Sequence, residues 1–241
     1  MNPSFRNATA HQLADALQNA TNYTLALFDS FASFGFDVPA NVPRLEGINP
    51  PLWELGRIAW LAEWFILREA QSSNPVDALR PSMLTMGDDW FDANTVPHRA
   101  RWRLELPSTG GLKTYCHEVL DRSLDKLSRA SEEDHALYPY RLVLAHEDKL
   151  GEMLCALLQR LGGAPPGEVA DNLISPWAQG EIRFPGGTFA LGSTADAGFV
   201  FDNEKWAHPC HVPAFAIDST LVSNAQYGEF IADGGYQNPS F

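Results

Sequence analysis

The strongest constraint on this sequence is a break at Leu161-Gly162-Gly163-Ala164-Pro165-Pro166. Glycines just past a helical stretch supply the left-handed residues that end a helix, and prolines beyond them keep it from resuming. Before the break the apolar residues recur at helical spacing. After it come Gly, Pro and aromatic residues between short alternating runs. Residues 164–180 read as a linker, bounded by Pro165-Pro166-Gly167 and Ser175-Pro176-Trp177. The expected organisation is a helical unit over 1–175 and a strand-and-turn unit over 176–241.

Four helices are expected in the first unit. The first runs from about His11 to Phe34, with Leu13, Leu17, Tyr23, Leu27 and Phe31 as its stripe and Gly35 as its stop. The second opens at Pro50-Pro51, since proline is tolerated in a first helical turn, and runs to about Arg68. Its Trp53, Trp60 and Trp64 fall at i, i+7 and i+11, which is a core stripe. The third spans about Leu112 to Ala130 and the fourth about Leu137 to Leu161. Four amphipathic helices of this length predict a four-helix bundle. The long connection over 71–110 carries Trp90, Phe91, His98 and Trp102, and is expected to pack on the bundle.

In the second unit the stretch from Ile182 to Gly192 reads as a strand, a Gly-rich turn and a second strand, with Phe184-Pro185-Gly186-Gly187 as the hairpin turn. That Gly pair is no phosphate cradle, because no Lys-Ser/Thr pair and no helix follow it. Pro209 to Ile217 reads as a further strand, and Asn224 to Ala232 as a short helix stopped at Gly234-Gly235.

The net charge of −13 argues against a nucleic-acid backbone or an anionic membrane as partner. No run approaches the roughly 18 apolar residues of a spanning helix. The N-terminus shows no basic start, apolar core or cleavage site, so no export signal is read. Three widely spaced cysteines, Cys116, Cys155 and Cys210, imply no disulfide framework, and a cytoplasmic setting is expected.

Five stretches carry a resemblance, in order: Asn49-Pro-Pro-Leu-Trp-Glu-Leu-Gly-Arg57; His146-Glu-Asp-Lys-Leu150; Arg183-Phe-Pro-Gly-Gly-Thr-Phe-Ala-Leu-Gly192; Phe199 to Pro209; and Asn224 to Tyr236. Together they resemble the iron-dependent sulfoxide synthases of ergothioneine biosynthesis, most of all the selenoneine synthases. The resemblance implies a DinB-like four-helix bundle joined to the start of an α+β domain of the formylglycine-generating-enzyme (sulfatase-modifying factor) type. It implies an oxygen-dependent non-haem iron chemistry that forms a C–S or C–Se bond on hercynine, with a thiol or selenosugar as second substrate. It also places iron on three histidines, one on the second helix and two at i and i+4 on the fourth. Two imidazoles at that spacing share one helix face and can reach one metal.

At those positions this sequence has Arg57, His146 and Leu150. Arginine offers no lone pair and leucine no donor atom, so His146 stands as a remnant ligand position and no bound iron is expected. The family's catalytic tyrosine falls beyond Phe241, and its role is not transferred to Tyr227 or Tyr236. The resemblance therefore implies a truncated, inactive copy. An active synthase with substitute ligands or a complementing chain, and a non-enzymatic binding or self-associating module, are the alternatives. Arg57 is expected to pair with Glu54, Glu147 or Asp148. His98, His117 and His135 are candidates for a substitute metal site, and His208-Pro209-Cys210-His211 for an isolated one. The resemblance further places the second helix beside the substrate, where one of its aromatic rings could meet a trimethylammonium group.

Overall fold

The computed structural model describes residues 5–45, 47–70, 80–167 and 180–240. The chain divides into two compact units, residues 1–168 and 169–241. The expected boundary at 175–176, with the Ser175-Pro176-Trp177 end of the linker, lies outside the described residues.

The first unit is built on four long helices. Helix α1 (Ala10–Ser33) opens with a reciprocal cap: Thr9 Oγ1 accepts from the Gln12 amide at 3.3 Å, and Gln12 Oε1 accepts from the Thr9 amide at 3.0 Å. It buries Leu13, Leu17, Leu27, Phe28 and Phe31, while Tyr23, expected in that stripe, is 43% exposed. Thr21 and Thr24 take the core-facing turn instead. Helix α2 (Pro51–Ala62) starts at its proline pair as expected, and apolar burial runs round most of its circumference. That is the signature of a central helix. It continues as one π-helical turn over Glu63–Leu67. After the short α3 (Gly87–Phe91) come α4 (Thr109–Leu127), capped by Ser108, and α5 (Asp134–Arg160). Gly162, at φ +87°, follows α5 where the stop was expected. Helix α1 packs along α5 and α2 along α4, and further α1–α4 and α2–α5 contacts complete the bundle.

Residues 80–106 pack on this bundle through polar anchors around apolar side chains. Arg68, 5% exposed, donates to both Asp88 carboxylate oxygens at 2.6 and 3.0 Å, and Trp60 Nε1 donates to the same carboxylate at 2.8 Å. Trp53 Nε1 reaches the Trp90 carbonyl at 2.7 Å, and Trp102 Nε1 reaches the Val42 carbonyl at 3.0 Å. Phe91 is fully buried against Gly56, where a Cβ would lie 2.2 Å from its ring. The π turn puts Glu63 in the interior at 0% exposure, where it accepts from the Met83 amide (2.6 Å), Ser82 Oγ (3.1 Å) and the Tyr115 hydroxyl.

The second unit corrects one expectation. Strands β1 (Glu181–Phe184) and β2 (Gly187–Leu191) do not form a hairpin with each other. Instead β1 pairs with β4 (Phe215–Asp218) and β2 with β3 (His208–Val212), both antiparallel. Register carries through unchanged, since Phe184 faces Phe215 before the gap and Gly187 faces Val212 after it. Pro185-Gly186 is therefore an interruption in one long two-stranded ribbon, set against Pro213-Ala214. Proline has no amide hydrogen to give the ladder, so pairing lapses there from both sides. Gly186, at φ +78°, is required by this crossing: a Cβ would meet the Ala214 nitrogen at 2.6 Å. The expected single strand over Pro209–Ile217 is broken into β3 and β4 for the same reason. Helix α6 (Asn224–Ala232) carries a Ser223–Gln226 capping box and ends at Gly234, φ +74°.

Candidate functional site

The bundle brings together the three positions that the resemblance singled out. Arg57 comes from the middle of α2 and His146 from the middle of α5. The Arg57 Nη1 lies 3.3 Å from His146 Nε2. A guanidinium can only donate, so Nε2 is the acceptor and the imidazole proton sits on Nδ1. Burial, with the positive charges of Arg57 and Lys149, lowers the His146 pKa from 6.5 to about 4. The imidazole is thus neutral at physiological pH, and the lone pair that a metal would need is engaged by a cation. Leu150, one turn along α5, is 4% exposed and sits in a cluster with Leu27, Phe31, Ile58 and Leu154.

These residues do not fit an iron ion. One imidazole is present where the resemblance implies three, and its Nε2 is already hydrogen-bonded. At an effective dielectric of 20, a divalent ion about 4 Å from a guanidinium is opposed by roughly 8 kcal/mol. Among the described residues, no group of three or more His, Cys, Asp or Glu is placed to hold a metal.

Around Arg57 the bundle carries an internal charge cluster that sequence reasoning only half anticipated. Glu54, 4% exposed, accepts from Asn49 Nδ2 at 2.6 Å, and its other oxygen lies 4.0 Å from Arg57 Nη1. Burial raises the Glu54 pKa, against the opposing effects of the Asn49 hydrogen bond and the charges of Arg57 and Arg101. Arg101, from the segment packed on the bundle, donates to Asn49 Oδ1 at 2.8 Å and stacks 4.0 Å from the Trp53 ring centroid. The Arg57 guanidinium is 5.6 Å from the same ring. Trp53 is 0% exposed and serves the protein's own cations, as a core residue. Of the three partners expected for Arg57, only Glu54 is near it. Glu147 turns the other way, accepting from Thr24 at 2.9 Å and Thr21 at 3.3 Å. Its burial pushes its pKa up to about 7. Asp148 is exposed.

The remaining histidines are dispersed. His98 bonds the Ile48 carbonyl through Nε2 at 2.6 Å and sits edge-on to Trp102. His117 and His135 are exposed, with His135 beside Glu133. In the ribbon of the second unit, His208 and Cys210 point to one face and His211 to the other. Arg101 and the buried Glu63 were missed in the sequence. Glu63 carried a signal, since it stands between apolar residues on the tryptophan-bearing helix.

Residues 170–240 match the model of the sulfatase-modifying factor enzyme 1-like domain. Over 233 residues, 94% of this chain, it is 31% identical to a hercynine oxygenase of Mycolicibacterium smegmatis. Over 238 residues it is 33% identical to the hercynine oxygenase of Mycolicibacterium thermoresistibile. The chain belongs to this ergothioneine-synthase-like family. It spans about half the length of these curated relatives, 51% and 49%. A formylglycine-generating enzyme of Streptomyces coelicolor is 36% identical over 58 residues, 24% of this chain and 18% of that enzyme. The similarity thus extends over both units. Among the described residues, no helix is long and apolar enough to cross a membrane.

Proposed function

We propose that this chain is a hercynine oxygenase relative whose DinB-like bundle has lost its iron site and does not itself form a C–S or C–Se bond on hercynine. The observation that carries the reading is the Arg57–His146 contact at 3.3 Å, with leucine at the third position. A cation that donates to the last imidazole occupies the role a metal would take. The parental chemistry we assign is oxygen-dependent coupling of hercynine with a thiol or a selenosugar, in which iron would bind the substrates and activate oxygen. Without a fitting ligand set, Arg57, His146 and Leu150 carry no step of that reaction.

The test is metal retention. The purified chain and an Arg57→His, Leu150→His double variant are incubated anaerobically with ferrous iron, then desalted and assayed for iron. The expected result is about one iron per chain in the double variant and none in the unmodified chain, which also consumes no oxygen with hercynine and either co-substrate. Stoichiometric iron in the unmodified chain would overturn the proposal and favour an active synthase with substitute ligands.

A further inference from the structure

A cavity of about 30 Å³ lies inside the first unit, where all four long helices meet. Its wall is mostly apolar, with the hydroxyls of Thr21, Thr24 and Ser123, the Glu147 carboxyl and the Cys116 thiol set into it. No basic residue lines it, and it shares no residue with the Arg57–His146 contact or with Leu150. The helices pack in a ring, α1–α5, α5–α2, α2–α4 and α4–α1. Ser123 on α4 and Glu147 on α5 therefore reach the cavity from opposite corners of the bundle.

Both of these groups have hydrogen-bonding capacity left over. Ser123 is 2% exposed and its Oγ has no hydrogen-bond partner, a costly state for a buried hydroxyl. A serine Oγ moves among staggered positions by rotation about one bond, so a guest in the cavity can draw it in. Each Glu147 oxygen accepts from one threonine, Thr24 at 2.9 Å and Thr21 at 3.3 Å, and keeps a lone pair for another donor. Burial keeps this carboxyl protonated up to about 7, and its proton needs an acceptor.

Size and chemistry select the guest. The cavity exceeds the roughly 10–15 Å³ that one water needs and falls far below the about 150 Å³ that admits benzene. An anion would meet a carboxyl with no cation beside it to hold the charge. A donor-only ion such as ammonium could not accept the proton of Ser123 or of Glu147. Water donates and accepts, so it serves both groups.

We propose that the cavity is a binding site for one ordered water, which bridges the Ser123 hydroxyl on α4 to the Glu147 carboxyl on α5. The proposal goes beyond the loss of iron and does not rest on it.

The test counts long-lived waters in the full chain by oxygen-17 magnetic relaxation dispersion, beside Ser123→Val and Ala59→Val. Valine at 123 removes a polar partner and fills space. Valine at 59, on the α2 wall, fills the same cavity and leaves both polar groups in place. Each variant, its helical circular dichroism retained, is expected to lose one long-lived water relative to the parent. Xenon tests the parent directly, since a dry apolar cavity binds the gas. The Ala59 and Val119 methyl signals are expected to stay unmoved under xenon. The proposal is overturned if xenon shifts those methyls saturably, or if a folded variant holds as many long-lived waters as the parent.

Discussion

Replacing Glu147 with glutamine would expose a compensation between adjacent residues. The Glu147 carboxyl, ordinarily at 4.5, is held at about 7 by burial. Between those values the folded state binds more protons than the unfolded one, so stability is fully present below pH 4.5. It falls as pH rises and levels off above 7. The gap amounts to about 3 kcal/mol at 1.36 kcal/mol per pH unit. His146 runs oppositely, because its ordinary 6.5 is lowered to about 4. There the unfolded state binds more protons, so stability rises with pH from about 4 to 6.5 and is lost on acidification. The two slopes overlap with opposite sign and similar size, so in the parent they largely cancel. In Glu147→Gln, whose amide oxygen still accepts from Thr24, only the His146 slope remains. Urea unfolding followed by far-UV circular dichroism, at intervals from about pH 4.5 to 8.5, reads the difference. The variant should gain about 3 kcal/mol relative to the parent between pH 4.5 and 7.5. His146→Gln should show the reverse, losing stability relative to the parent as pH rises from about 4 to 6.5. A gap between Glu147→Gln and the parent that does not change with pH would refute the argument for a perturbed buried carboxyl.

Other perturbations probe the packing of residues 80–106 and the ribbon. Tyr115→Phe removes a donor from the fully buried Glu63 and should cost about 1–3 kcal/mol in urea unfolding. An unchanged midpoint would mean that the network is satisfied without it. Gly56→Ala drives a methyl into the Phe91 ring, 2.2 Å away, and should cost about 1–3 kcal/mol while speeding proteolysis within 80–106. Gly186→Ala combines a left-handed backbone with a 2.6 Å approach to the Ala214 nitrogen. It should increase amide exchange in β1 and β4 while leaving exchange in α1 and α5 unchanged.

The helices were legible because their signals are local. A proline pair opened α2, a glycine pair followed α5, and periodic leucines set the faces. The ribbon was not, because Phe184-Pro185-Gly186-Gly187 satisfies the local chemistry of a turn equally well. What decides against the turn is its antiparallel partner some thirty residues later, whose own proline at 213 interrupts the ladder across from Gly186. The polar interior was hidden in the same way. Nothing near Glu147 in sequence announces Thr21 and Thr24 as its partners, and nothing near Trp53 announces Arg101. Buried charges are compensated by residues distant in sequence, and hydrophobic periodicity does not encode that pairing.

The position of Arg57 was legible, and its structural setting bears on what reversal would require. Arg57 is held at three points. It donates to His146, lies 4.0 Å from a buried Glu54, and sits 5.6 Å from the Trp53 ring. Arg57→His alone would free the His146 lone pair but remove one of the two cations that offset Glu54, leaving a buried carboxylate less compensated. Losing a partner from such a pair typically costs about 3–5 kcal/mol, more than an isolated surface charge would. Leu150→His alone would place an imidazole among Leu27, Phe31 and Ile58 with the cation still opposing any metal. Each single change is therefore expected to lower the unfolding midpoint without iron retention. The double variant should recover part of that loss when ferrous iron is present, because metal binding to the folded state adds its own stabilisation. Iron-dependent recovery in the double variant, absent from both singles, is the pattern that a displaced metal site predicts. Recovery in the Arg57→His single variant would instead mean that Leu150 never occupied a ligand position.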